Sequence, residues 1–117
     1  MSKGASGHFS GTKGARRAFI DYPKTIHSGR QDKHILGTNN YTEGRSIFSG
    51  TKNQAEQLIK QYGGTGQVLS KNKERVDFGR VIGYYVDPVT QEKTPTTMGT
   101  IHYSKDGAHI VPARPKK

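Results

Sequence analysis

The sequence predicts an α+β domain in which N-terminal helical elements pack on a four-stranded antiparallel sheet. Three observations predict it. A helical period with start and stop signals lies over Lys52–Tyr62. After Gly66 the apolar residues change to strand spacing. Asp106-Gly107 between the last two strands is a two-residue hairpin signal. Helices first and consecutive strands afterwards is the order of an α+β chain.

Residues 1–16 hold Gly4, Gly7, Gly11 and Gly14 among Ser, Lys and Ala. Such a stretch reads as a flexible leader or linker stub, and its abrupt start suggests a fragment cut from a longer protein. Phe19, Ile20, Tyr22 and Pro23 form the first apolar cluster, so the domain is placed at 17–117. The segment Thr25–Ile35 (TIHSGRQDKHI) is read as part helix and part turn, with Ser28 capping a short helix that ends before Gly37. Inside one helix His27 and His34, seven apart, share a face. Thr38-Asn39-Asn40 is read as a loop.

The main helix starts at a capping-box pair, Thr51 with Gln54. Ala55, Leu58, Ile59 and Tyr62 then follow the i, i+3, i+4, i+7 pattern, and Gly63-Gly64 stops it. Strands are expected over Arg75–Phe78, Arg80–Asp87, Thr94–Ser104 and Ala108–Pro112, with a turn opened by Asp87-Pro88.

Composition narrows the function. The chain has 117 residues, of which 30% are hydrophobic, so one domain with a lean core is expected. No apolar run approaches the ~20 residues of a membrane span. The start, Met1-Ser2-Lys3-Gly4, does not resemble a secretory signal. Without cysteine, disulfides, thiolate nucleophiles and cysteine-ligated zinc are excluded. The net charge of +10 favours an anionic partner. Most of that surplus sits at the ends: residues 1–17 carry +4 and residues 114–117 carry +3, leaving +3 between.

Five histidines in a cysteine-free chain call for a use. His8 lies in the leader. The others form two pairs, His27 with His34 and His102 with His109. A two-residue Asp106-Gly107 turn pairs Ser104 with His109 and Tyr103 with Ile110. Alternation then places Thr100, His102, Ser104 and His109 on one sheet face, and Ile101, Tyr103 and Ile110 on the core face. A solvated face carrying two surface histidines has the same pattern. The functional alternative is RNA cleavage, where the substrate's own 2′-hydroxyl is the nucleophile. The protein then supplies a base, an acid and donors for the phosphorane charge. Histidine suits the proton steps because it titrates near neutrality. Lys, Ser and Thr suit the rest. No HExxH or comparable spacing is present and no acidic residues cluster near the histidines, so neither metal nor cofactor is expected.

Two weaker features can reach phosphate: the basic stretch Lys71–Arg75, which contains Lys73, and Gly44-Arg45-Ser46. The first reads more readily as a solvated loop, and Arg45 can equally brace the fold. Tyr62-Gly63-Gly64-Thr65-Gly66 lacks the lysine of a phosphate loop and reads as a helix stop.

IHSGRQDKHILGTNNYTEGRS (Ile26–Ser46), NKERVDFGRVIGYY (Asn72–Tyr85) and TTMGTIHYSKDGAHIVPARP (Thr96–Pro115) resemble the bacterial polymorphic toxin type 50 domain. The resemblance covers about residues 20–115. It implies the barnase, EndoU, colicin and RelE-like fold, with helical elements before a four-stranded antiparallel sheet. It also implies a ribonuclease at the C-terminus of a larger secreted toxin, including LXG-type toxins, acting in the cytoplasm of a target bacterium. An immunity protein encoded alongside would neutralise it, and an acidic one suits the basic domain. Carried onto this sequence, the resemblance implies His27, Lys33, His34, His102 and His109 as catalytic. Arg45, Ser46, Lys73, Thr96, Thr97, Ser104 and Lys105 are the candidate substrate contacts. The barnase branch uses a glutamate as base; Glu74 precedes a strand here and has no advantage over a histidine.

The expected function is a metal-independent endoribonuclease that leaves a 2′,3′-cyclic phosphate and a 5′-hydroxyl. The alternative is a non-catalytic basic RNA-binding module, which explains the charge but not the histidine strip. A deoxyribonuclease would need metal ligands that the sequence does not offer.

Overall fold

Local signals set the main helix. Helix α2, Lys52–Tyr62, begins at Thr51, whose hydroxyl accepts from the Gln54 N–H (3.1 Å) while the Gln54 side chain accepts from the Thr51 N–H (2.8 Å). These bonds satisfy two of the donors that a helix start leaves open. Its buried stripe is Ala55, Leu58 and Ile59. The computed structural model describes residues 17–36, 41 and 44–116. The leader at 1–16 and the Thr38-Asn39-Asn40 loop lie outside the described residues.

The fold is α+β, with a four-stranded antiparallel sheet as expected. In chain order the elements are helix α1 (Ser28–Asp32), strand β1 (Ile47–Phe48), helix α2, then strands β2 (Gln67–Ser70), β3 (Lys73–Asp77), β4 (Gly83–Val86), β5 (Lys93–Thr96), β6 (Met98–Ser104) and β7 (Gly107–Pro112). The four-stranded sheet has the order β2-β3-β6-β7, and a second sheet has the order β1-β4-β5.

The strand assignments need three corrections. The expected strand Arg80–Asp87 shortens to β4 and joins the second sheet, between β1 and β5. The expected strand Thr94–Ser104 divides between the two sheets. Thr96 marks the division: its hydroxyl accepts from the Met98 N–H (3.0 Å) and donates to the Ala113 carbonyl (2.8 Å). The basic stretch Lys71–Arg75 is not a loop throughout, because β3 starts at Lys73.

The last hairpin turns at Lys105-Asp106 rather than Asp106-Gly107, so Ser104 pairs with Gly107 and His102 with His109. Relative to the expected pairing the register moves by two residues, which preserves the faces. Gly107 opens β7 at φ 127°, a value that side chains rarely adopt. A Cβ there would sit 3.0 Å from both the His27 nitrogen and the Thr25 oxygen.

Ile101, Tyr103, Ala108 and Ile110 face the core with Phe19, Val76 and the stripe of α2. Full burial of one such large apolar side chain contributes about 1.5–3 kcal/mol. Glu74 is buried among them on the same face. It accepts from the Tyr103 hydroxyl (2.7 Å) and from the N–H groups of Gly64 and Gly66 (2.9 and 2.7 Å). The carboxylate therefore fastens the loop after α2 to the sheet, on the side away from the histidines.

β7 is an edge of the four-stranded sheet, and an edge leaves main-chain groups that need partners. The chain before α1 supplies them. His27 N–H donates to the Ala108 carbonyl (2.7 Å), and Ala108 N–H donates to the Thr25 carbonyl (2.8 Å). One turn later Gln31, fully buried, treats Ile110 the same way. Its side-chain amide donates to the Ile110 carbonyl (3.0 Å) and accepts from the Ile110 N–H (2.7 Å). Replacing Gln31 with Leu keeps the volume but leaves both groups of Ile110 buried without partners. An unpaired buried group costs about 1–3 kcal/mol, so Gln31→Leu should destabilise the domain by roughly 3 kcal/mol in urea denaturation. A loss below about 0.5 kcal/mol would show that this clamp is not needed.

Candidate active site

Alternation along β3, β6 and β7 puts Lys73, His102 and His109 in one cross-strand row, on the face opposite Glu74, Ile101 and Ile110. The His102 and His109 rings stack with centroids 4.8 Å apart. The His34 ring stacks on the other side of His109 at 6.1 Å. The three rings therefore form a row with His109 in the middle.

His34 arrives by a different route from the one expected. Helix α1 starts after His27 and ends at Asp32, so no single helix presents His27 and His34 on one face. His27 is instead the cap: its Nδ1 accepts from the Arg30 N–H (3.3 Å). His34 lies in the turn beyond, where its N–H donates to the Gln31 carbonyl (2.9 Å) and its own carbonyl accepts from Phe48 N–H (2.7 Å). The edge contacts of His27 and Gln31 on β7 carry this turn to His109.

Two of these rings have defined tautomers. A carbonyl oxygen only accepts, so the 2.9 Å contact of His34 with the Ser46 carbonyl places a proton on His34 Nδ1. The neutral ring then keeps its lone pair on Nε2. His27 is the reverse, since its Nδ1 accepts and a neutral ring must carry its proton on Nε2.

Burial and positive neighbours make the row a poor home for a proton. His34 is buried, while His102 and His109 are partly open. Burial first, then Lys73, His34 and Arg30, lower His102 to about 4. Burial first, then His102, His34, Arg30 and His27, lower His109 to about 3. Burial also lowers His34, with Arg45 and Lys33 adding to the effect and the Ser46 carbonyl opposing it. At neutral pH the row is uncharged inside a positive field.

The other candidates divide. Lys73 stands opposite His102 on the next strand and is exposed. Lys33 and Arg45 are exposed, and both act on His34 through their charge. Ser46 is buried, its carbonyl held by His34 and its hydroxyl accepting from Val86 N–H (3.2 Å). Ser104 donates to the Gly107 carbonyl (2.8 Å) and shapes the turn, from which Lys105 projects exposed. Thr96 and Thr97 are not brought to the row. Thr96 is six residues from His102, roughly 20 Å along an extended chain, and its hydroxyl is committed to Ala113 and Met98. Arg30 and Gln31 are the residues that sequence reasoning passes over. Their only signal is position, between two histidines. Among the described residues no group of three or more His, Cys, Asp or Glu is arranged to hold a metal ion.

A family model described as bacterial toxin 50 matches residues 26–112, from the bridge of Ile26 with Ala108 to the end of β7. The chain belongs to the bacterial toxin 50 family. No curated protein matches it. The histidine row thus lies wholly within the part of the chain that defines a bacterial toxin 50 domain. Among the described residues of this toxin domain, no helix is long and apolar enough to cross a membrane.

The lowered histidines make toxin stability depend on pH. Unfolded histidines bind protons as pH falls below about 6.5, whereas folded His102 and His109 do so only near 4 and 3. The unfolded state therefore binds more protons in that window, and stability falls with falling pH. The contribution is complete above pH 6.5 and is lost progressively towards pH 4. The melting temperature should fall between pH 7 and pH 5, and His102→Gln should shrink that fall. An equal fall in parent and variant would place the acid sensitivity elsewhere.

Proposed function

We propose that this toxin domain is an endoribonuclease that cleaves by transesterification. The observation that carries the reading is the row His102-His109-His34 on a partly open sheet face, with the charges of Lys73 and Arg30 acting on His102. The substrate 2′-oxygen forms a bond to the adjacent phosphorus, the bond from phosphorus to the 5′-oxygen breaks, and the products are a 2′,3′-cyclic phosphate and a 5′-hydroxyl. The 2′-hydroxyl proton goes to a neutral ring, and the departing 5′-oxygen takes a proton from a charged one.

His102 and His109 are the catalytic pair in this account. Rings so close disfavour double charge, so the pair holds one proton at most. That proton is scarce in the free domain. An entering phosphodiester offsets the field of Lys73 and Arg30 and raises the affinity of the pair for it. Substrate binding thus creates the acid that the second half of the reaction needs. Buried His34 supports His109 from behind, and the Nε2–H of His27 is the nearby donor for phosphate oxygen. Lys73, Lys33, Arg45 and Lys105 supply positive charge around the entrance. Thr96, Thr97, Ser46 and Ser104 have no direct substrate role in this proposal.

The same face is the surface for an immunity protein to cover, and an acidic one would dock fastest on so basic a domain. Delivery as part of a larger secreted toxin would bring the domain to RNA in the cytoplasm of a target bacterium.

The test is single-turnover cleavage of RNA in EDTA, with analysis of the new ends. Acid-base steps contribute ~10²–10⁴-fold each, so His102→Ala and His109→Ala should each slow cleavage by at least ~100-fold while circular dichroism stays native. His8→Ala, in the Gly-rich leader, should leave the rate unchanged. Cleavage of a fully 2′-deoxy strand, or strict dependence on Mg²⁺, would overturn the transesterification. Tight RNA binding without cleavage would favour the non-catalytic module.

A further inference from the structure

The sheet face that carries the histidines continues past them. Arg75 pairs with Thr100 as Lys73 pairs with His102, so Arg75 stands on the same face two residues along β3. That spacing is about 7 Å. The Arg75 guanidinium donates to the main-chain carbonyl of Arg114 (2.8 Å). A guanidinium has five N–H donors, so one such bond leaves capacity for a phosphate.

Arg114 is the next feature along the path. Its guanidinium lies over the Tyr85 ring, 5.7 Å from the centroid, and donates to the Tyr85 hydroxyl (3.4 Å). Arg114 is exposed and Tyr85 is partly so. The segment is firmly placed for a surface element. Ala113 N–H donates to the Met98 carbonyl (2.9 Å), the Ala113 carbonyl accepts from Thr96, and Arg75 holds the next carbonyl. Asp87 is the acidic group that acts on Arg114 through its charge, and its Oδ1 accepts from the N–H groups of Val89 and Thr90 (2.8 and 3.0 Å). A cation pre-placed on an aromatic ring, beside an exposed basic track, is what a nucleobase stacks on. Arg114 also lies outside residues 26–112 matched by the family.

We propose that Arg114 over Tyr85 forms a stacking subsite for the base of a nucleotide flanking the cleaved bond, with Arg75 contacting the phosphate between that base and the histidine row. The proposal rests on the ribonuclease reading and adds to it where the strand runs. RNA would cross the sheet from His109 and His102 past Lys73 and Arg75 to Arg114.

The test uses the full chain carrying His109→Ala, expected to hold RNA without cutting it, and a labelled short single-stranded RNA read by fluorescence anisotropy. Arg114→Ala and Tyr85→Leu should each weaken binding by roughly tenfold. Arg114→Lys, which keeps the charge but not the plane, should recover little of it. A single abasic position moved along the strand should weaken binding most at one site next to the cut. That loss should vanish in the Arg114→Ala protein, because base and guanidinium act as one contact. Melting curves should match the parent. Unchanged affinity in both the Arg114→Ala and Tyr85→Leu proteins, or an equal abasic penalty with and without Arg114, would overturn the subsite while leaving cleavage by the parent intact. A parent that neither binds nor cuts RNA would overturn the ribonuclease reading and the subsite together.

Discussion

The arrangement depends on how the outer edge of β7 is closed. Ala108 and Ile110 each present main-chain groups away from β6, and His109 lies between them with its side chain on the opposite face from Ile110. Residues 25–27 satisfy Ala108 as a short added strand, and the Gln31 side chain satisfies Ile110 as a single amide acting like one more strand residue. The ends of these bonds are about eighty positions apart in the chain. Closing this edge buries it against unwanted pairing. It also fixes where the chain re-enters after α1, and so where the His34 ring stands against His109.

The electrostatics of the site follow from that placement. A histidine on an open sheet face would titrate as it does in water. Here the turn carrying His34 covers one side of His109, and His102 covers the other. Burial removes water from rings that both feel Arg30, His102 also feeling Lys73, so both effects act against a charged imidazole. In the proposed mechanism a face with few protons and a positive field would be poised for a phosphodiester, which would bring the missing negative charge. On the proposed function, the overall charge of the chain would play a separate part, steering polyanions towards this face.

Much of this was legible in the sequence where the signal is local. Helix α2 occupies the expected residues because its cap, its apolar stripe and its glycine stop all fall within a dozen positions. The common face of His102 and His109 follows from a period of two, and survives the change of turn because the register moved by an even number. The alternation cannot record which sheet a strand joins, and so the division at Thr96 and the separate sheet of β1, β4 and β5 were not foreseeable. β2 was invisible for another reason: all four of its residues are exposed, leaving no alternation to see. The site was half legible for the same physical cause. The hairpin histidines are near neighbours in sequence, whereas the partnership of His34 with His109 depends on a buried amide at Gln31 that resembles any other polar residue of a short helix. The family resemblance implied Thr96 and Thr97 as substrate contacts, but the Thr96 hydroxyl is committed to the crossover between sheets.

In the proposed mechanism the histidine row is uncharged at rest and acquires a proton when phosphate arrives. Ring NMR signals of the five histidines, followed from pH 3 to pH 8 without and with a uridine 2′-monophosphate probe, test it most directly. In the free domain, His102 and His109 should titrate near 4 and 3, well below an ordinary histidine. With the nucleotide bound, one of the two should move up towards neutrality while the other stays uncharged. Titration of both near 6.5 in the free domain, or curves that the nucleotide leaves unmoved, would contradict the account.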